Sequence, residues 1–390
     1  MNLSGWSRKP IAELCDFSGG YGFRPPDWSE NGLPIIRIQN LNGSSNFNHF
    51  AGTPEADWLV QPGELLFAWA GTRGVSFGPT IWRGPLGVLN QHIYRVHPKP
   101  GVDKEWLYLA LRVVTRRIEE KAHGFKSTLV HVRKSDIDNQ VVSVPDERGQ
   151  KRIADVVRCW EKSEIRLKRR IDLALERKRG LMQQLLAGKK RFKEFRGERW
   201  RTFKLGDLFS ERVEIGRPDL PLVSITGQNG VVPRDSLAKR DTSSEDKSKY
   251  LRIAPGDIGY NTMRMWQGVS GLSKLEGIVS PAYTICTPSE RINAHFAAHL
   301  FKHAPVVNLF RRYSQGLVDD TLALKFPNFA QIQVTIPRIH EQHRIARVLS
   351  TCDREIELLQ RQSDALKEQK RGLMQKLLMG EMRVKNKNQR

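Results

Sequence analysis

The chain has no long apolar run. Nothing in it approaches the roughly 20 consecutive apolar residues of a membrane-spanning helix, which excludes an integral helical membrane protein. The opening residues, MNLSGWSRKP, hold no apolar signal core, so secretion is not expected. Cysteine is scarce. Cys15, Cys159, Cys286 and Cys352 lie far apart and form neither a CxxC pair nor a disulfide framework, as suits a reducing cytosol. Acidic side chains are also short: 42 Asp and Glu face 64 Lys and Arg, leaving a net charge of +22. A surplus of that size favours a polyanionic partner, most simply nucleic acid.

Motifs for chemistry are mostly missing. There is no GxxxxGK(S/T) phosphate loop, and Gly19-Gly20-Tyr21-Gly22 lacks the rest of a dinucleotide fingerprint. The FxGxG and (N/D)PP(F/Y) elements of an adenine methyltransferase are absent, as is HExxH. His295, His299 and His303 stack at i, i+4, i+8 on one predicted helix, but no fourth ligand lies nearby and no metal site is expected. Pro218-Asp219 and Glu245-Asp246-Lys247 can be forced into a PD…ExK nuclease pattern. The ExK, however, sits in the polar stretch RDTSSEDKSKY and not in the strand such chemistry needs.

What the chain does have is enough apolar material for packed cores, with 39% hydrophobic and 8% aromatic residues. At 390 residues it suits two or three domains. The charge is uneven. Residues 148–199 hold 18 basic and 7 acidic side chains, half of the whole surplus.

An internal repeat organises everything. Arg179–Gly188 reads RGLMQQLLAG and Arg371–Gly380 reads RGLMQKLLMG, 192 residues later. The same offset matches Arg152-Ile153-Ala154 to Arg344-Ile345-Ala346, Val144-Pro145 to Ile336-Pro337, and Gly124 to Gly316. Pro62-Gly63-Glu64-Leu65 recurs as Pro255-Gly256-Asp257-Ile258, and Trp6 recurs as Trp200. The chain therefore divides into a globular region at 1–147, a helical spacer at 148–197, a second globular region at 198–340, and a helical spacer with a basic tail at 341–390. The globular halves share a skeleton but differ in most side chains. That implies two related tasks with different specificities.

Both spacers carry a coiled-coil seam of alternating 4,3 spacing. The first runs Ile153, Val157, Trp160, Glu164, Leu167, Ile171, Ala174, Lys178, Leu181, Leu185. The second runs Ile345, Leu349, Cys352, Ile356, Leu359, Ser363, Leu366, Lys370, Leu373, Leu377. Matched seams predict that the two helices pair with each other. Because each follows a globular half, an antiparallel pair would hold the halves at opposite ends. Lys178 and Lys370 share one seam position, a polar device that could set register. Gly180 and Gly372 interrupt good helix formers at a cost of about 1 kcal/mol each, through a close approach or a bend.

Each globular half reads as mixed α and β. Strands are predicted at Leu33–Leu41, Glu64–Trp69, His92–Val96 and Val141–Val144, and in the second half at Leu220–Thr226, Asp257–Tyr260, Tyr283–Cys286 and Gln333–Ile336. Helices are predicted at Lys104–Lys121 and Asn293–Phe310. Polar, aromatic and basic residues gather just after the strands. In the first half these are Gln39, Asn40, Trp69, Thr72, Arg73, Asn90, Gln91, His92, Lys126, Ser127, Thr128 and His131. In the second they are Gln228, Asn229, Asn261, Thr262, Arg264, Trp266, Gln267, Arg311, Arg312, Gln315 and Thr321, with Asp319 and Asp320. Arg, Asn, Gln and His read base edges or hold phosphates, so the recurring set is the candidate DNA contact.

Together the helix motifs, the Pro-Gly-acid turns and the tandem layout resemble the specificity subunit of Type I restriction–modification systems. The resemblance covers nearly the whole chain. It implies an α+β fold with two similar target-recognition domains, separated by two long helices in an antiparallel coiled coil with pseudo-twofold symmetry. It implies a non-catalytic subunit in the cytoplasm of a prokaryote, with no membrane association. Each domain would read one half of a bipartite asymmetric site on double-stranded DNA, and the helices would set the gap. Two modification subunits would bring S-adenosylmethionine and methylate adenine. Restriction subunits would bring ATP- and Mg-dependent translocation and cleavage, and this chain would bind no cofactor itself. The alternatives are a self-contained nuclease using Asp219, Glu245 and Lys247, and a basic coiled-coil scaffold.

Overall fold

The computed structural model describes residues 6–121, 129–227, 229–237, 246–382 and 384. It divides into two compact units. One comprises Met1–Arg166 with Ser363–Arg390, the other Leu167–Gln362. Each unit contains one globular region and an antiparallel pair of helical segments.

In the first unit a four-stranded antiparallel sheet runs in the order Cys15–Gly19, Ile93–Pro98, Leu65–Ala68, Gly78–Ile81. A second sheet has the order His49–Phe50, Leu33–Ile36, Gly87–Leu89, Leu59–Val60, and its Ile35–Val88 pairing is parallel. Helix Lys104–Lys121 buries Trp106, Leu107, Leu111 and Val114 in the same core as Leu65 and Phe67. Strand Trp6–Pro10 pairs with Val141–Pro145, whose end leads into the first long helix, Glu147–Leu185.

The second unit repeats this plan. Its main sheet runs Phe209–Glu211, Tyr283–Pro288, Ile258–Asn261, Ser270–Leu272. Strand Arg201–Lys204 pairs with Gln333–Ile336, just before the second long helix, Ile339–Met379. The Pro-Gly-acid turns do the same work in both units. Gly63 and Gly256 take φ of +91° and +95°, a left-handed conformation that glycine adopts without strain. The acid that follows anchors the sheet. Glu64 pairs with Arg95 at 2.8 Å, and buried Asp257 pairs with Arg212 at 2.8 Å and accepts from Thr287 Oγ1 at 2.9 Å.

The predicted strand Leu33–Leu41 is cut short at Ile36, and Ile38–Leu41 forms one helical turn. The Asn40 carboxamide causes this. Its Oδ1 accepts from the Arg37 amide at 2.9 Å, and its Nδ2 donates to the Ser44 and Asn46 carbonyls. The predicted helix Asn293–Phe310 is two helices, Ala294–Leu300 and Ala304–Tyr313. Pro305 has no N–H and fits only a first turn, so a new helix starts there. His303 therefore leaves the predicted His295, His299, His303 face.

Within each unit the two helical segments are antiparallel. In the first, Ile153 and Val157 share a core with Leu373, Met374 and Leu377, and Lys370 reaches Glu161 at 3.3 Å and Glu164 at 2.9 Å. In the second, Leu181 and Leu185 share a core with Ile345 and Leu349, while Lys178 pairs with Asp353 and Arg177 with Glu355. Every seam position is buried or partly buried, whereas Ile165, Leu173, Leu175 and Leu358 beside the seam are exposed. A Cβ at Gly180 or Gly372 would meet nothing within 4 Å. Among the described residues, no close approach requires glycine at either place.

A glutamine fastens each long helix to its globular region. Gln150 accepts from the Asp103 amide at 2.8 Å and donates to the Gly101 and Pro145 carbonyls. Gln342 accepts from the Asn293 amide at 2.8 Å and donates to the Arg291 and Pro337 carbonyls. Both side chains are buried, so each bond replaces water that cannot enter.

Candidate nucleic-acid interface

In the first unit Trp69 is the centre. It follows strand Leu65–Ala68 and its indole N–H donates to the Gln91 carbonyl at 3.1 Å. Its ring stacks on Tyr94 at 5.8 Å and meets the edges of His92 at 5.3 Å and His131 at 4.7 Å. His131 arrives on a separate strand, Leu129–His131, which pairs with Ala70–Thr72. Three segments thus bring Trp69, Gln91, His92 and His131 together. Gln91, His92 and His131 are exposed.

A tight turn follows. The Thr72 carbonyl accepts from the Val75, Ser76 and Phe77 amides, and the Thr72 amide donates to Ser76 Oγ at 2.7 Å. Arg73 sits in that turn, half-buried and already partnered. Asn90 is half-buried and its amide donates to the Ile36 carbonyl. Gln39 is exposed, with Nε2 on the Asn46 carbonyl, whereas Asn40 is buried and occupied in shaping its own loop. Lys126, Ser127 and Thr128 lie outside the described residues.

The second unit builds its counterpart from charge. The Asn261 carboxamide accepts from the Met263 amide, and the Thr262 hydroxyl meets that of Thr284 at 3.1 Å. Arg264 precedes the short turn Met265–Gln267, and Trp266 Nε1 donates to the Met263 carbonyl. The Arg311 guanidinium lies 5.4 Å from the Trp266 ring centre and pairs with Asp319 at 2.8 Å. The Leu324 amide donates to the Thr262 carbonyl, which ties the segment containing Gln315 and Thr321 to this turn. Arg264, Gln267, Arg312, Gln315 and Thr321 are exposed. Asn229 is exposed in a separate hairpin turn, and Gln228 lies outside the described residues.

Sequence reading missed Lys302. Its ammonium donates to the Gly268 carbonyl at 2.6 Å and the Ser270 carbonyl at 2.9 Å, under the Arg264–Trp266 turn. Burial, helped by the charge of Lys178, lowers its pKa to about 8. It also missed Tyr94, the floor of the Trp69 cluster. Neither has a local signal, because both act through distant partners.

The histidines and the nuclease pattern resolve differently. His299 is buried, with Nε2 3.3 Å from Ser350 Oγ. Burial drives its pKa down to about 4, so its 3.8 Å approach to Asp353 is no ion pair at neutral pH. Among the described residues no group of three or more His, Cys, Asp or Glu is placed to hold a metal ion. Both Asp219 oxygens are taken by Arg217, at 3.1 and 2.9 Å, and Lys247 lies against the Tyr250 ring. Glu245 lies outside the described residues. No described helix is long and apolar enough to cross a membrane.

Two globular regions of one plan, each fastened to a long helix and carrying its own polar and aromatic surface, define a tandem nucleic-acid reader. The family model of the type I restriction modification DNA specificity domain matches residues 3–177 and 284–368, and the chain belongs to that family. The type I restriction enzyme MjaVIII specificity subunit of Methanocaldococcus jannaschii is 22% identical over 358 residues, covering 85% of this chain and 81% of that one. The type I restriction-modification system S subunit from M. genitalium has a TM-score of 0.56 at 14% identity, over 96% of both chains. A chain from a structure addressing complex assembly and conformational transition of the type I R-M system gives 0.59 at 14% identity, over 97% of this chain and 98% of that one. These two solved structures share the fold.

Proposed function

We propose that this chain is the sequence-reading subunit of a type I restriction–modification complex. Each globular region reads one half of a bipartite asymmetric site on double-stranded DNA. The first uses the surface around Trp69, Gln91, His92 and His131, the second that around Arg264, Trp266, Gln267, Arg311 and Arg312. The long helices set the unread gap. The chain performs no catalysis and binds no cofactor. Two modification subunits supply S-adenosylmethionine and methylate adenine, and restriction subunits supply ATP- and Mg-dependent translocation and cleavage. The complex works in a prokaryotic cytoplasm.

The observation that carries this reading is one skeleton bearing two chemically different surfaces. One surface gathers indole, phenol and imidazole rings, the other guanidinium groups, as two different half-sites require. The nuclease alternative is weaker because Asp219 is engaged by Arg217. Footprinting of the chain with its modification subunits tests the proposal. Two protected half-sites separated by an unread gap are expected. Binding without sequence preference would leave only the basic-scaffold reading.

A further inference from the structure

In the second unit the segment from Gln315 to Ala323 closes on itself. The two residues exchange backbone hydrogen bonds of 2.9 and 2.8 Å. At its tip the Leu317 side chain is 100% exposed and Val318 is 61% exposed. The tip is nevertheless ordered by its own bonds. Thr321 Oγ1 accepts from the Leu317 and Val318 amides, each at 3.2 Å, and donates to the Val318 carbonyl at 2.9 Å. Gly316 holds a φ of +149°, and a Cβ there would stand 2.6 Å from the Thr321 carbonyl oxygen. Two apolar side chains are thus held out to water on a built loop. Little ordering remains to be lost on contact, so burying them yields most of its hydrophobic gain.

We propose that Leu317, with Val318 beside it, contacts the 5-methyl group of a thymine in the major groove of the half-site read by the second unit. This rests on the DNA-reading function proposed above. The loop grows from that reading surface: Leu324 is bonded to Thr262, and Arg311, paired with Asp319 in the loop, lies over Trp266. The thymine methyl is the apolar feature among the base edges of the major groove, and an aliphatic side chain is its match. The acids choose between base edge and backbone. Asp319 and Asp320 follow the tip; with Asp319 paired to Arg311, the Asp320 carboxylate beside it repels phosphates, whereas a carboxylate at a base edge can accept from a cytosine amino group.

The test uses the full chain assembled with its modification subunits and duplexes carrying the mapped site. Each thymine of the second half-site is replaced in turn by deoxyuridine, which removes only the methyl. The wild type should lose about 3–5-fold in affinity at one position, the effect of one buried methyl. Leu317→Ala should no longer distinguish thymine from uracil there, while replacements in the first half-site act alike on both proteins. Leu317 is fully exposed, so the variant should melt with the wild type. Specific binding with no uracil effect at any thymine would overturn this inference and leave the DNA-reading function standing. A uracil effect that persists in Leu317→Ala would do the same, as would loss of the modification subunits from that variant with discrimination intact. Failure of the wild-type complex to prefer its site would overturn the DNA reading itself.

Discussion

The two units agree at their joints and differ at their reading surfaces. Gln150 and Gln342 make the same three bonds, and Lys370 and Lys178, which share one seam position, meet acids at equivalent places beside the seam, Glu161 and Asp353. Beyond those joints the side chains diverge. One unit gathers Trp69, His92 and His131, the other Arg264, Trp266 and Arg311. The contrast teaches where each constraint acts. A joint must transmit geometry and so is built twice in the same way, whereas a reader must match its own half-site and so is built differently.

The largest test of that contrast exchanges residues 1–147 for the same region of a relative. Mapping methylated adenines should show one half-site replaced and the other unchanged. Simultaneous change of both would mean the readers are not independent.

The joints come next. Gln150→Ala and Gln342→Ala each leave a part-buried backbone amide, a part-buried carbonyl and a buried carbonyl without their partner, so each should destabilise its own unit by about 2–4 kcal/mol. Denaturant unfolding should give losses of similar size. A large loss in one variant alone would break the equivalence.

A smaller asymmetry lies in acid. Six residues after the capping residues Asp103 and Asn293, the first unit buries Leu109 and the second buries His299. The His299 pKa is lowered from 6.5 to about 4 by burial. Its contribution to stability is therefore complete above about pH 6.5 and is lost as pH falls through about 4. The second unit should weaken over that window by on the order of 2–3 kcal/mol, and the first should not weaken by this route. His299→Leu should flatten the pH profile followed by thermal melting. An unaltered profile in that variant would show that His299 does not control it.

The smallest effect concerns Gly180 and Gly372. With space around both, Gly180→Ala and Gly372→Ala should each stabilise the protein by about 1 kcal/mol. Destabilisation by either would reveal a bend that the open surroundings conceal.

The helices were the most legible part of the sequence. Their seams repeat over ten positions, and RGLMQ marks both ends, so period and repeat agree. Helix Lys104–Lys121 was legible as well, and its expected bounds are those observed. The break at Pro305 was not, because proline is tolerated in a first turn and alone does not say which helix it begins. The end of the Leu33–Ile36 strand was hidden because Asn40 overrides β-propensity with local bonds to Arg37, Ser44 and Asn46. Placing polar residues after strands found Trp69, His92 and His131 separately. Their meeting depends on the pairing of Leu129–His131 with Ala70–Thr72, which local sequence does not encode. Lys302 stayed invisible because its carbonyl partners lie more than thirty residues away.

The central claim is that the helix pair measures the distance between two independent readers. Matched four-residue insertions, one after Leu175 and one after Ile356, lie between the anchors Glu164–Lys370 and Lys178–Asp353 and preserve both. Four residues add roughly 6 Å of helix and just over one turn, so the seam nearly keeps its facing. Methylated-adenine mapping should then return both half-site sequences intact, with the gap longer by about one or two base pairs, since successive base pairs rise about 3.4 Å. A folded, active variant with an unchanged gap would contradict the account, because something other than these helices would be setting the spacing.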